Sequence, residues 1–97
     1  MAVNIVNRFK GNHDHTAHVK EGAAILKRHG VTSVRAGRIF SGQYAGQLIV
    51  VATQPDMAAF GRGAQGLLAD AAWLKFMTEV SKVFALQERS ITVSEDF

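Results

Sequence analysis

The chain has 97 residues, 47% of them hydrophobic and 20% charged, with nine glycines, one proline and no cysteine. That length fits one domain, residues 1–97, and is too short for a Rossmann domain, a TIM barrel or a two-domain enzyme. The hydrophobic share excludes intrinsic disorder, and the lack of cysteine excludes a disulfide framework or a thiolate metal site. The net charge of +3 divides unevenly, +5 over residues 1–40 and −2 over residues 41–97. The basic residues are dispersed rather than gathered in one run, so no nucleic-acid partner is expected. The longest aliphatic run, Leu48 to Ala52, is far below the ~20 residues of a membrane span. Met1-Ala2-Val3-Asn4 carries no basic region leading into an apolar one, and a cytoplasmic location is expected.

In chain order, Ala2 to Phe9 places Val3, Ile5 and Phe9 on one parity, which predicts a strand. Lys10-Gly11-Asn12 ends it. A helix follows from about Asp14 to His29, capped by Asn12 or Asp14 and stopped by Gly30. Its inward stripe is His15, His18/Val19, Gly22, Ile25/Leu26 and His29. Val31 to Phe40 reads as a second strand, Ser41-Gly42-Gln43 as a short turn, and Tyr44 to Thr53 as a third strand returning antiparallel. Pro55-Asp56 opens a long helical stretch with one stripe at Met57, Phe60, Ala64 and Leu67/Leu68. Asp70 reads as a second cap, followed by a second stripe at Ala72/Trp73, Phe76/Met77, Val80 and Val83/Phe84. The pattern leaves open whether the helix breaks at Ala69-Asp70. Leu86 to Val93 is the last strand.

The order β-α-β-β-α-β is that of a ferredoxin-like α+β sandwich: a four-stranded antiparallel sheet with two helices on one face. The third strand is apolar on both sides, with Leu48, Val50 and Ala52 pointing one way and Ile49 and Val51 the other. A sheet with one wet face alternates apolar and polar, and this strand does not. No further element remains to cover the bare face, so a homodimer packed through the sheet faces is expected.

That order, the doubly apolar third strand, Pro55-Asp56-Met57-Ala58-Ala59-Phe60 and Ala69-Asp70-Ala71-Ala72-Trp73 together resemble the dimeric α/β-barrel superfamily, including antibiotic-biosynthesis-monooxygenase-like and NIPSNAP-like small proteins. The resemblance spans nearly the whole chain and lies in architecture rather than in a sharp motif. It implies two sheets packed into one barrel with the helices outside. It does not select among oxygenases, haem-degrading enzymes, isomerases and proteins without known activity. The haem-degrading pattern has a strand-one Asn, a Trp and an iron-ligating His on the second helix. Asn4, Asn7 and Trp73 are available, but Met57 to Phe84 contains no His. No cofactor is therefore assigned.

His13, His15 and His18 cluster at the start of the first helix, where His15 and His18 share a face. The His-x-His-x-x-His spacing matches no closed ligand set, and no metal is assigned. His18 is the acid–base candidate, and His15 a ligand-binding candidate, because their stripe lines the space between helix and sheet. Arg35 and Arg38 fall on opposite faces of the second strand; Arg35 is assigned to the cavity as a carboxylate partner. Tyr44 and Trp73 are assigned to the pocket wall, although Trp73 also fits plain core beside Phe76, Met77 and Val80. Gly61-Arg62-Gly63-Ala64-Gln65-Gly66 matches G-x-G-x-x-G but lies inside a helix already begun, so close helix packing explains it better than a dinucleotide. RNA binding fails because the third strand has no aromatic after Tyr44.

The sequence thus supports a small protein holding an apolar or aromatic ligand between helices and sheet. A monooxygenase-like enzyme with His18 and Asn7 at the reactive position is one alternative, and a ligand-sensing or structural module another.

Overall fold

The strand that is apolar on both sides lies inside the sheet. The computed structural model describes residues 1–97 and contains β1 (Val3–Lys10), α1 (Thr16–Lys27), β2 (Ser33–Arg38), β3 (Leu48–Gln54), α2 (Met57–Leu68), α3 (Ala71–Val80) and β4 (Ala85–Val93). The four strands form one antiparallel sheet in the order β2-β3-β1-β4, the ferredoxin-like arrangement expected from the sequence. Strands β3 and β1 are central, and the sheet is open rather than closed on itself.

Register assigns the faces. Ile5, Asn7 and Phe9 of β1 stand opposite Ala52, Val50 and Leu48 of β3, beneath the helices. Val6 and Arg8 stand opposite Val51 and Ile49 on the other face, which no helix covers. On the covered side Ile25, Leu48, Phe76, Val80 and Phe84 form the core cluster, with Phe9, Val50, Leu67, Trp73, Met77 and Val83 packed against it. The core is thin, with twelve of 97 residues buried, so apolar groups on both faces stay half-exposed. Burying one such aliphatic is worth about 1.5–3 kcal/mol.

The second helical stretch divides at Asp70. Its side chain accepts the N–H groups of Ala72 (2.9 Å) and Trp73 (3.4 Å), starting α3, just as Asp56 accepts that of Ala59 (2.8 Å) to start α2. Three helices, not two, therefore cover the sheet. The buried side of α2 is set by Ala59 and Gly63, whereas Met57 and Leu68, expected in its stripe, are 55% and 76% exposed. Glycines permit the close approach: a Cβ on Gly22 would strike the Phe76 ring, and one on Gly63 would strike the His29 carbonyl and the Gln54 amide. Gly66 likewise faces the His29 ring, but Gly61 has open space around it, so close packing accounts for two of the three glycines of the G-x-G-x-x-G stretch.

Two boundaries differ from expectation. The N-cap residue of α1 is His15 rather than Asn12 or Asp14, and its side chain makes no capping bond; Asp14, one residue earlier, accepts the Thr16 N–H at 2.9 Å, a hydrogen bond that lowers the Asp14 pKa. The helix itself spans Thr16–Lys27, a turn less than Asp14 to His29. The β2–β3 connection runs from Ile39 to Gln47 instead of occupying three residues. Gly46, at φ +88°, lets the chain fold back so that its N–H reaches the Ile39 carbonyl while the Ile39 N–H reaches that of Gln47. Tyr44 accordingly sits in a loop. No helix is long and apolar enough to cross a membrane.

Candidate functional site

Two adjoining chambers open between the helices and the sheet. The smaller, about 80 Å³, lies under α1 and α3 and is bounded by Phe9, His15, His18, Gly22, Phe76 and Phe84 among others. The larger, about 420 Å³, extends beneath α2 toward β4 and is bounded by Ile5, Phe60, Ala64, Leu67 and Ile91 among others. Asn7, Leu26, Ala52, Trp73, Met77 and Arg89 border both. Of these six shared residues Asn7 and Arg89 are the polar pair, with Arg89 exposed at the edge strand, and the other four are apolar.

The ladder positions that pair. Asn7 stands opposite Arg89 between β1 and β4, and the Arg89 Nε donates to Asn7 Oδ1 at 2.6 Å. The chain's ion pairs are Arg28–Asp70, His29–Asp70 and Lys82–Glu79, so the Arg89 charge is matched by no carboxylate. A guanidinium oriented by an amide oxygen and facing an apolar space keeps donors for an incoming oxyanion.

His15 and His18 both border the smaller chamber, and the His18 ring meets Phe84 edge-on at 6.0 Å. His13 meets the same ring at 6.3 Å. The three histidines are thus spread around Phe84 and the chamber, and no three His, Asp or Glu side chains converge as a metal-ligating set. Trp73 stacks on Phe76 with ring centres 5.5 Å apart, serving as core and as cavity wall together.

Of the residues singled out in the sequence, Asn7, His15, His18 and Trp73 come together here. Arg35 and Tyr44 do not. Arg35 stands opposite Val51 on the uncovered face, and the Tyr44 ring lies 3.6 Å from the Arg8 guanidinium on that same side. Arg38 is the β2 arginine on the helix side, but it is engaged with the carbonyls of Gly11, His13 and Gly46. Arg89 is the residue that sequence reading missed. Its signal was parity: it is in step with Ile91 and Val93, so a strand placed by those two turns Arg89 to the same side.

The fold is that of the antibiotic-biosynthesis-monooxygenase-like and NIPSNAP-like proteins. SnoaB, a cofactor-independent oxygenase from Streptomyces nogalater, matches with a TM-score of 0.74 over 99% of this chain and 95% of that one, at 20% identity. A NIPSNAP domain protein from Burkholderia xenovorans matches with a TM-score of 0.74 over 100% and 97%, at 18% identity. An antibiotic biosynthesis monooxygenase, so described, from Chloroflexus aurantiacus matches with a TM-score of 0.67 over 100% and 96%, at 12% identity. A family model described as "Domain of unknown function (DUF6854)" matches residues 11–94, and the chain belongs to that family. No curated protein matches the sequence.

Proposed function

We propose that the chain binds a small aromatic molecule carrying one acidic oxygen, with the rings between helices and sheet and the oxygen on Arg89 and Asn7. The observation that carries this reading is the Arg89–Asn7 pair, a guanidinium without a carboxylate partner that borders both apolar chambers. Trp73 and Met77 supply aromatic and polarizable walls. Trp73 is the chain's one tryptophan, so its indole N–H gives a single reporter resonance. Titration with 2-naphthoate is expected to shift that resonance saturably; shifts that leave Trp73 unmoved and map to the uncovered sheet face would refute the reading.

The monooxygenase-like alternative uses the same site and finds support in His18 bordering the same chamber as the Arg89–Asn7 pair, and in the likeness to a cofactor-independent oxygenase. Without a cofactor, the electrons that reduce dioxygen come from the ligand, and removing its proton makes it the better donor. His18 takes that proton and Arg89 holds the resulting oxyanion. With 1-naphthol as probe, one oxygen atom enters the ring and the other leaves as water, giving 1,4-naphthoquinone. Naphthoquinone formation coupled to oxygen uptake, abolished in His18→Ala with melting temperature retained, supports the enzyme. Binding of the probe without oxygen uptake leaves the ligand-binding, sensor-type reading.

The protein acts as a homodimer through the uncovered sheet face. Val6, Ile49 and Val51 form a half-exposed apolar strip there, bordered by Arg8, Arg35 and Glu88. Packing it against a second copy removes several aliphatic groups from water, and two sheets so joined make a barrel. Native mass spectrometry is expected to return the mass of two chains, and Val51→Lys that of one. A wild-type monomer at micromolar concentration would overturn the assembly.

A further inference from the structure

Beyond the apolar chambers, the end of α1 and the second turn of α2 enclose a recess of about 300 Å³, bounded by Arg28, His29, Gly30, Ala59, Arg62 and Gly63. Its chemistry is the reverse of theirs: two arginines, a histidine and two glycines, with Ala59 the one apolar side chain. We propose that this recess is a phosphate site, taking inorganic phosphate or the phosphate of a small organic monoester between the guanidinium groups of Arg28 and Arg62.

Three features of the surroundings favour an anion. Arg62 pairs with no carboxylate, and Arg28 gives a single nitrogen to Asp70 at 3.3 Å while remaining 57% exposed. Donors on both guanidiniums are therefore free, in the planar geometry that matches phosphate oxygens. Of the acids that touch the walls of the recess, Asp56 accepts the Ala59 N–H at 2.8 Å, and Asp70 is committed as well. One of its oxygens takes the amides of Ala72 and Trp73, and the other takes His29 Nε2 at 2.7 Å as well as Arg28.

A helix C-terminus normally repels an anion through its free carbonyls. Here those of Ile25, Leu26 and Lys27 are occupied. The Ile25 carbonyl accepts the Arg28 N–H, that of Leu26 accepts His29 and Val31, and that of Lys27 accepts Gly30. The His29 carbonyl accepts Gln54 Nε2 at 3.3 Å, and the same amide nitrogen donates to the Ala59 carbonyl. Gln54 is 3% exposed, so a buried side chain ties the two walls of the recess together. The recess also has a reason to exist: Gly63 has no Cβ to displace Gln54 and His29, and it borders the larger apolar chamber on its other flank.

The test is an amide NMR titration of the whole chain with inorganic phosphate, against sodium chloride at equal ionic strength. Saturable shifts are expected at Arg28 to Gly30 and Ala59 to Gly63, absent in chloride. Arg62→Gln and Arg28→Gln, both changes of exposed side chains, should each weaken the apparent affinity roughly tenfold or more while the rest of the spectrum stays in place. Phenyl phosphate binding tighter than phosphate assigns the site to an organic monoester, and equal affinities assign it to the free ion. Shifts that do not saturate, that appear equally in chloride or acetate, or that persist unchanged in Arg62→Gln would overturn the proposal.

Discussion

The Arg89 Nε sits 2.6 Å from Asn7 Oδ1, across the β1–β4 ladder and on the side facing the helices. The amide oxygen aims the guanidinium without neutralising it, which separates this pair from an ordinary ion pair. Two substitutions divide these roles. Asn7→Ala removes the aim and should weaken 2-naphthoate binding roughly tenfold, the value of one hydrogen bond to a charged group. Asn7→Asp keeps the contact but supplies a carboxylate, and should weaken 2-naphthoate while sparing the neutral 2-naphthamide. Calorimetric titration of both ligands reads the distinction.

Gly63 is where α2 meets the α1–β2 corner. A Cβ there meets the His29 backbone carbonyl, which cannot move as a flexible side-chain tip does. Gly63→Ala should destabilise the fold by about 1–3 kcal/mol, the usual range for overpacking. Gly61→Ala, with nothing nearby and a gain in helix propensity, should stabilise it slightly, by under about 1 kcal/mol. Urea denaturation of the two variants provides the comparison.

Asp70 gives the fold a defined acid sensitivity. The His29 hydrogen bond, with those of Arg28 and the α3 amides, lowers its pKa from 3.8 to about 2. The folded carboxyl thus holds its charge where the unfolded one is already protonated. Its contribution is complete above the unfolded value and is lost as pH falls through the folded one. Asp70→Asn keeps a residue able to cap α3 but not the charge. The stability advantage of wild type over this variant should be constant at neutral pH, shrink below pH 3.8 and be lost as pH falls through and below about 2, as followed by denaturant midpoints across that range.

Arg38 joins the β1–α1 loop to the β2–β3 loop. Its Nη1 donates to the carbonyls of Gly11 (2.7 Å) and Gly46 (3.2 Å), and its Nη2 to that of His13 (2.8 Å). Arg38→Gln should speed hydrogen exchange at the Gly46 and Gln47 amides roughly tenfold while leaving the centre of β3 protected. Equal rates in wild type and variant would show that the loop holds itself.

Much of the site was legible because two periodicities intersect. The α1 stripe through His15, His18 and Gly22, and the odd parity of β1 through Ile5, Asn7 and Phe9, specify faces that meet in the structure. Arg35 was misplaced for a physical reason. With β3 apolar on both sides, composition does not tell which parity of β2 faces the helices, and the register that pairs Val34 with Ala52 settles it. Tyr44 was lost to the same hairpin, whose Gly42 and Gly46, both at positive φ, build a longer connection than its turn residues suggest. Asp70 is legible as a second cap, but apolar spacing on both sides of Ala69-Asp70 leaves the break itself open, and the Asp70 carboxylate on the Ala72 and Trp73 N–H groups is what sets it. The packing of Gly63 and Gly66 against His29 joins residues more than thirty positions apart, which no local pattern records.

In the proposed binding mode Arg89 reads an acidic oxygen on a ligand held by apolar walls. The decisive experiment is calorimetric titration of wild type and Arg89→Gln with 2-naphthoate and 2-naphthamide. Wild type is expected to bind the carboxylate more tightly than the amide, and Arg89→Gln to bind both alike with the amide affinity unchanged. Equal binding of both ligands by wild type, or a carboxylate preference that survives in Arg89→Gln, would contradict it.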